Sequence, residues 1–440
     1  MEELAFCYPL EKLNFADAGH GIREYLVTDE EKKSLRELAK EKAEIASLPV
    51  HEEKIDMWKR LNSLGQTRPL IWINEIPWHE MDVEGELRLT TSTGFAQFLE
   101  TRLRRSIYQW KHMRADMVVE PTLSCYYKIY DSGFGISEDV DIATTDEASD
   151  IYSRHFIRQI TDYDDLEKIQ MPEVVFDVEA TEKKYQSMVD IFDGILTVEK
   201  KGMPGFWFAP WDELIRWWGV QDAMYDLVDR PDMVHRVMER LTDAYLRGLD
   251  QYEELNLLAL NNCNYRIGSG GLGYTDELPQ RDFNQNRIRA SDLWGCGAAQ
   301  IFSSVSPQMH YEFALQYEIR WMKRFGLNYY GCCEPLDRKL DILKRIPNLR
   351  KISMSPWVDL ERAAKNVCRD YVISWKPNPD IFVRGSWDPD SVRAAFAEYL
   401  KKLKNCAVEV IMKDISSVEY KPQRLWEWAR IAVEEAEKVV

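Results

Sequence analysis

Positive charge is in short supply: 57 Lys and Arg stand against 74 Asp and Glu, a formal net charge of −17. A surface of that sign repels phosphate, so neither nucleic acid nor an anionic membrane is expected as a partner. No apolar run approaches the roughly twenty residues of a membrane-spanning helix. The opening residues, MEELAFCYPLEKLNF, lack the basic start and apolar core of a secretory leader. Eight cysteines are scattered over 440 residues with no disulfide-framework spacing. They are expected as reduced thiols, in a cytoplasmic protein. CxxC and HExxH are both missing. The glycine-rich GSGGLG, Gly268 to Gly273, carries no Walker lysine and follows Asn-rich polar sequence, and is read as a flexible loop rather than a nucleotide cradle.

What is present is an ample core, 45 % hydrophobic, with fifteen Trp and twenty-one Tyr. Aromatics near loops suit an apolar or aromatic small-molecule ligand. Residues 1–66 read as a helical extension: Thr28 ahead of Asp29, Glu30 and Glu31 starts one charged helix, and a second runs from His51 to Leu64 and stops at Gly65. From 67 to 440, short apolar runs alternate with helices. Strands are expected at Leu70–Asn74, Met117–Glu120, Gly205–Phe208, Leu257–Leu260, Ala298–Phe302, Leu327–Gly331, Lys351–Met354, Asp370–Trp375 and Val408–Met412. Helices are expected at Gly94–Met113, Glu179–Ile195, Pro231–Leu255, from Pro307 to Phe325, and at Gln423–Lys438. The irregular section up to Pro172 reads as an inserted hairpin. Repeated strand–helix units imply parallel strands, and their number points to an α/β fold of (β/α)8 TIM-barrel type.

In such a barrel the site lies on the loops after the strands. The strand ends offer Glu75, Trp78 and His79; Asn261 and Asn262, with Tyr265 beyond; Cys332, Cys333 and Glu334 after Tyr330; Ser355 to Trp357; Lys376; and Lys413 with Asp414. Thiolates and carboxylates both bind zinc, and positions i and i+2 of an extended segment face the same way, so Cys332 and Glu334 are able to chelate together. The plainer alternative makes the cysteines small buried hydrophobes and Glu334 a helix-start acid. Asp212 and Glu213 read as another helix start, and His310 as a helix-face residue.

The stretch SPQMHYEFALQYEIRWMKRFGLNYYGCCEP resembles the Ser-Pro helix and following strand of the uroporphyrinogen decarboxylase-like superfamily. In the methyltransferase branch of that superfamily the strand ends in a His-x-Cys zinc motif. Here Cys332 falls at the histidine and Glu334 at the cysteine. The resemblance continues through RPLIWINEIPWHEM, the APWDELIRWWG region, ISMSPWVDLERA and GSWDPDSV, and covers most of the chain from Thr67. Two departures stand out. The arginine-rich motif by which porphyrinogen decarboxylases hold a polyacid is replaced by Ile73-Asn74-Glu75-Ile76-Pro77-Trp78-His79. The third zinc ligand, a cysteine after the last strand, is replaced by Lys413 or Asp414, leaving Asp414, Cys333 or Glu75 as substitutes.

The resemblance implies a methyltransferase that moves a methyl group from a small substrate to a corrinoid carried by a partner protein. A methoxylated aromatic suits Trp78, Tyr265, Tyr330 and Trp357. Zinc held by Cys332, Glu334 and Cys333 would act as Lewis acid, with Asn261 and Asn262 orienting the substrate. Glu75, His79, Lys376 and Asp414 are the candidate catalytic groups. A homo-oligomer is compatible with this reading. The alternatives are a metal-free decarboxylase of a small aromatic or heterocyclic acid, using Lys376, Lys413 or His79 as acid or anchor, and a non-enzymatic accessory subunit.

Overall fold

The computed structural model describes residues 25–143, 153–367 and 369–439. Its strands are β1 (Leu70–Ile73), β2 (Thr122–Tyr126), β3 (Lys128–Asp131), β4 (Val140–Ala143), β5 (Ser153–Phe156), β6 (Val174–Asp177), β7 (Thr197–Lys201), β8 (Trp294–Gly297), β9 (Leu327–Tyr330), β10 (Leu349–Met354), β11 (Val372–Trp375) and β12 (Ala407–Met412). Six of them form one sheet in the order β1-β12-β11-β10-β9-β8, and every pairing in it is parallel. Nearly all the residues of these strands are buried, as expected of an all-parallel sheet covered on both faces. The protein is therefore mixed α/β with a central parallel sheet.

Beyond β8, Phe208 bridges Gly297 and Met203 bridges Leu258, both in parallel sense. At the other edge the Asp116 amide donates to the Ile71 carbonyl at 3.0 Å. The sheet curls strongly. Lys351 on β10 reaches Glu409 on β12 at 2.7 Å across the intervening strand. Lys413, just past β12, reaches Cys332, just past β9, at 3.7 Å. Three flat strand spacings would separate those two backbones by about 14 Å. The inserted section forms two antiparallel pairs, β3 with β6 and β4 with β5, while β2 and β7 pair in parallel.

The helix Asp29–Ala46 starts as expected. Thr28 and Glu31 form a reciprocal capping box that satisfies two of the orphan amides of the first turn. Its face is less solvated than its sparse apolar positions suggest. Leu35 and Ala39 are fully buried with Phe95, Leu99 and Leu103 of the helix Gly94–Met113 and with Met188 and Phe192. Among the described residues no helix is long and apolar enough to cross a membrane.

Several expectations are corrected. Met117–Glu120, Gly205–Phe208 and Leu257–Leu260 are not strands; single-residue bridges at Phe208 and Leu258 stand in the last two. The fifth apolar run is a strand at Trp294–Gly297, not Ala298–Phe302, where a 3-10 turn follows instead. Glycines conceal it for a packing reason: a Cβ on Gly295 would come within 2.5 Å of the Phe325 ring. The GSGGLG segment is not a loose loop. Ser269 is buried, and a Cβ on Gly271 would meet the Trp58 ring at 2.3 Å. Its glycines admit Trp58, Tyr329 and Glu409 at close range; close packing, not mobility, explains them.

Candidate active site at the carboxyl edge of the sheet

Because β1, β9, β10, β11 and β12 run parallel, the residues that follow them emerge on one edge. Glu75, Cys332, Ser355, Lys376 and Lys413 share that edge. Two of the turns are strained. Glu75 and Asp414 adopt positive φ, 52° and 56°, unfavourable for residues with a Cβ. Gly331, at φ 97°, makes the turn that swings the thiols inward. A Cβ there would meet Leu336 at 2.5 Å and Ser353 at 2.9 Å.

Lys413 is the centre of the group. Its Nζ lies 3.7 Å from Cys332 Sγ and 3.8 Å from Cys333 Sγ, 2.8 Å from Asp414 Oδ2 and 3.4 Å from Glu75 Oε2. The two sulfurs are 3.5 Å apart, with Cys332 buried and Cys333 exposed. Arg266 Nη1 holds the other Glu75 oxygen at 3.2 Å, and the Asp414 amide donates to Glu75 at 3.1 Å. Burial works to lower Lys413, but Cys332, Glu75 and Asp414 outweigh it and hold the ammonium well above its ordinary range. Burial also acts to raise Glu75, yet Lys413 and Arg266 keep it well below the usual carboxylate range. Partial burial and the Glu75 charge push Asp414 up. Within the thiol pair, the hydrogen bond from Cys333 lowers Cys332, helped by Lys413 against burial, while Cys333 is driven up. Cys332 is the more acidic thiol of the pair.

Below this layer Lys376 is fully enclosed. It donates to Tyr329 Oη, to Ser353 Oγ at 2.7 Å and to Ser374 Oγ at 3.1 Å. Burial pushes it down to about 7, so its proton is exchangeable near neutrality. Ser353 donates in turn to the Cys332 carbonyl, tying the lysine to the thiol loop. Asp212 is pushed up to about 6 by burial, with Glu334 adding to the effect, and accepts from Gln300 at 2.9 Å.

The remaining candidates divide. Trp357, 73 % exposed, stands free after β10. Glu334 is buried, its Oε2 accepting from the Cys332 amide at 2.9 Å; burial pushes its carboxyl up. Asn261 gives its side chain to the backbone of Pro204 and Trp294, and Asn262 to Thr275 and Leu278. Both fasten loops. Tyr330 faces the helix layer, its hydroxyl 2.7 Å from both His310 and Glu318. Tyr329, the next residue along the alternating strand, is the one turned towards Lys376. Trp78 packs edge-on against Tyr108 under Arg105. His79 lies 3.7 Å from Glu80 and edge-on to Tyr420. Tyr265 lies beside Gly205. Arg266, Tyr329, Ser353 and Asp212 were not singled out for the site from sequence. A strand-end rule does not reach them, although the alternation of β9 distinguishes Tyr329 from Tyr330.

As a zinc site this donor set does not fit. An ammonium faces both sulfurs, and at about 4 Å two like unit charges repel by about 4 kcal/mol at an effective dielectric of 20; a divalent ion would feel more. Asp414 is committed to Lys413, and Glu334 gives Oε2 to a backbone amide while its Oε1 is buried without a hydrogen-bond partner. Among the described residues no three His, Cys, Asp or Glu side chains are placed to hold a metal ion.

No protein-family model matches the chain, and no curated protein matches it. Twenty-three solved chains do. Among them is a methyltransferase from Methanosarcina mazei, at a TM-score of 0.50 and 10 % identity, the match covering 87 % of this chain and 98 % of that one. At that identity the likeness establishes a shared fold.

Proposed function

We propose that this chain is a methyltransferase of the uroporphyrinogen decarboxylase-like superfamily. In this reading the curled sheet, with the segments around Asp116 and Phe208, completes a (β/α)8 barrel. The enzyme moves a methyl group from a small methoxylated aromatic to a corrinoid on a partner protein. The observation that carries the reading is the Lys413–Cys332–Glu75 cluster. It sits where a parallel α/β fold places its chemistry, in a fold shared along nearly the whole length of a methyltransferase.

Breaking a methyl–oxygen bond leaves the electron pair on oxygen, while the new bond to the methyl group forms with an electron pair of the acceptor. The developing oxygen anion needs a positive neighbour and then a proton. Lys413 supplies the charge, with Glu75 and Arg266 fixing its position. Lys376, exchangeable near neutrality, is the proton source beneath that charge. Trp357 offers an aromatic face at the mouth. No step is routed through zinc, because the donors do not fit it.

The two lysines also favour a second reading, a metal-free lyase on a small aromatic acid, with Lys413 as carboxylate anchor. One assay separates the two. The purified chain is incubated with a 13C-methoxy aromatic acid and chemically reduced cobalamin. Labelled methylcobalamin and the free phenol are expected. Carbon dioxide release with the methoxy label left in place would instead establish the lyase.

A further inference from the structure

The sulfur pair poses a question that does not depend on which molecule supplies the methyl group. Two thiols 3.5 Å apart with a carboxylate 3.5 Å from one of them are the donor types of a soft-cation site. The cation beside them is already part of the chain. Lys413 Nζ lies almost equidistant from both sulfurs, at 3.7 and 3.8 Å. It also contacts Asp414 and Glu75 at 2.8 and 3.4 Å.

We infer that Lys413 is the resident cation of this centre, taking by its ammonium the place that a divalent metal would take between Cys332, Cys333 and Asp414. Four observations agree. The lysine side chain is only 4 % exposed, so the charge is fixed in place rather than solvated. Every acceptor around it is one a metal would use. The backbone serves the lysine: positive φ at Glu75 and Asp414 brings both carboxylates onto it. Finally, Arg266 takes the Glu75 oxygen that Lys413 leaves, so that carboxylate is fully engaged. The thiols thus remain free of metal and open to soft carbon or sulfur electrophiles, which a zinc thiolate centre would hold in its coordination sphere.

The experiment is metal stoichiometry on the full chain, purified without chelator and dialysed against micromolar zinc. The wild type is expected to retain less than about a tenth of a zinc per chain. Its exposed Cys333 should stay open to iodoacetamide, read by tandem mass spectrometry of the peptide that holds it. Lys413→Cys, which exchanges the cation for a ligand, is expected to gain about one zinc per chain and to protect Cys333. Lys413→Arg keeps the charge and should stay empty. About one zinc in the wild type, lost in Cys332→Ser, would overturn the inference. So would a folded Lys413→Cys protein, judged by its circular dichroism, that takes up no zinc. If Lys413→Cys does not fold, the wild-type stoichiometry decides alone.

Discussion

Replacing Lys376 by methionine tests whether a buried amine beneath the thiols titrates near neutrality. In the folded chain its pKa is pushed down to about 7 from 10.5 by burial. Between those values the unfolded chain carries a proton that the folded one has shed. The unfolded state then binds more protons, so stability rises with pH across that window. Below about 7 both states are protonated, and the full penalty of enclosing the charge is present. The slope is at most about 1.4 kcal/mol per pH unit; from pH 7.5 to 9.5 that amounts to about 2.5 kcal/mol. Urea unfolding of wild type and Lys376→Met at several pH values over that range measures it. The wild type should gain on the variant by about that amount as pH rises. Methionine leaves the Tyr329, Ser353 and Ser374 hydroxyls to pair among themselves, which shifts the whole curve but not its slope. A constant difference between the two proteins across the range would refute the argument.

Gly331→Ala should cost at least about 2 kcal/mol, because positive φ and contact with Leu336 and Ser353 act together. Gly194→Ala, also at positive φ but with open space around it, should cost only about 1 kcal/mol; equal losses in thermal unfolding would show that the steric account is wrong. Lys351→Met leaves Glu409 buried without its ion pair and should destabilise by about 3–5 kcal/mol in urea titration. Adding Glu409→Leu should restore much of that, and a further loss in the double variant would contradict the assignment.

The sequence carried the frame of this account. Leu70–Ile73, Leu327–Tyr330 and Val372–Trp375 are compact β-branched or aromatic runs, and the edge on which their loops emerge follows from their being parallel. Trp294–Gly297 escaped notice because neighbouring Phe325 and Met322 require glycine there, and glycine does not announce a strand. Asn261 and Asn262 looked like substrate ligands because they follow an apolar run. Their amides are consumed by backbone carbonyls thirteen to fifty-seven residues away, depending on the partner, which no local pattern encodes. The same limit hid the role of Lys413. Its position after the last strand was legible, but its approach to thiols from a strand three places away depends on how far the sheet curls.

Methyl transfer in Lys413→Met is the most direct test of the central claim, since this residue joins the thiols, the carboxylates and the departing oxygen. With the 13C-methoxy substrate and reduced cobalamin, the rate should fall by about 100-fold or more, in the range seen when a preorganised charge is removed from a reacting centre. His79→Ala, away from the cluster, should stay within about threefold of wild type. Full methyl transfer by a folded Lys413→Met protein would contradict the account.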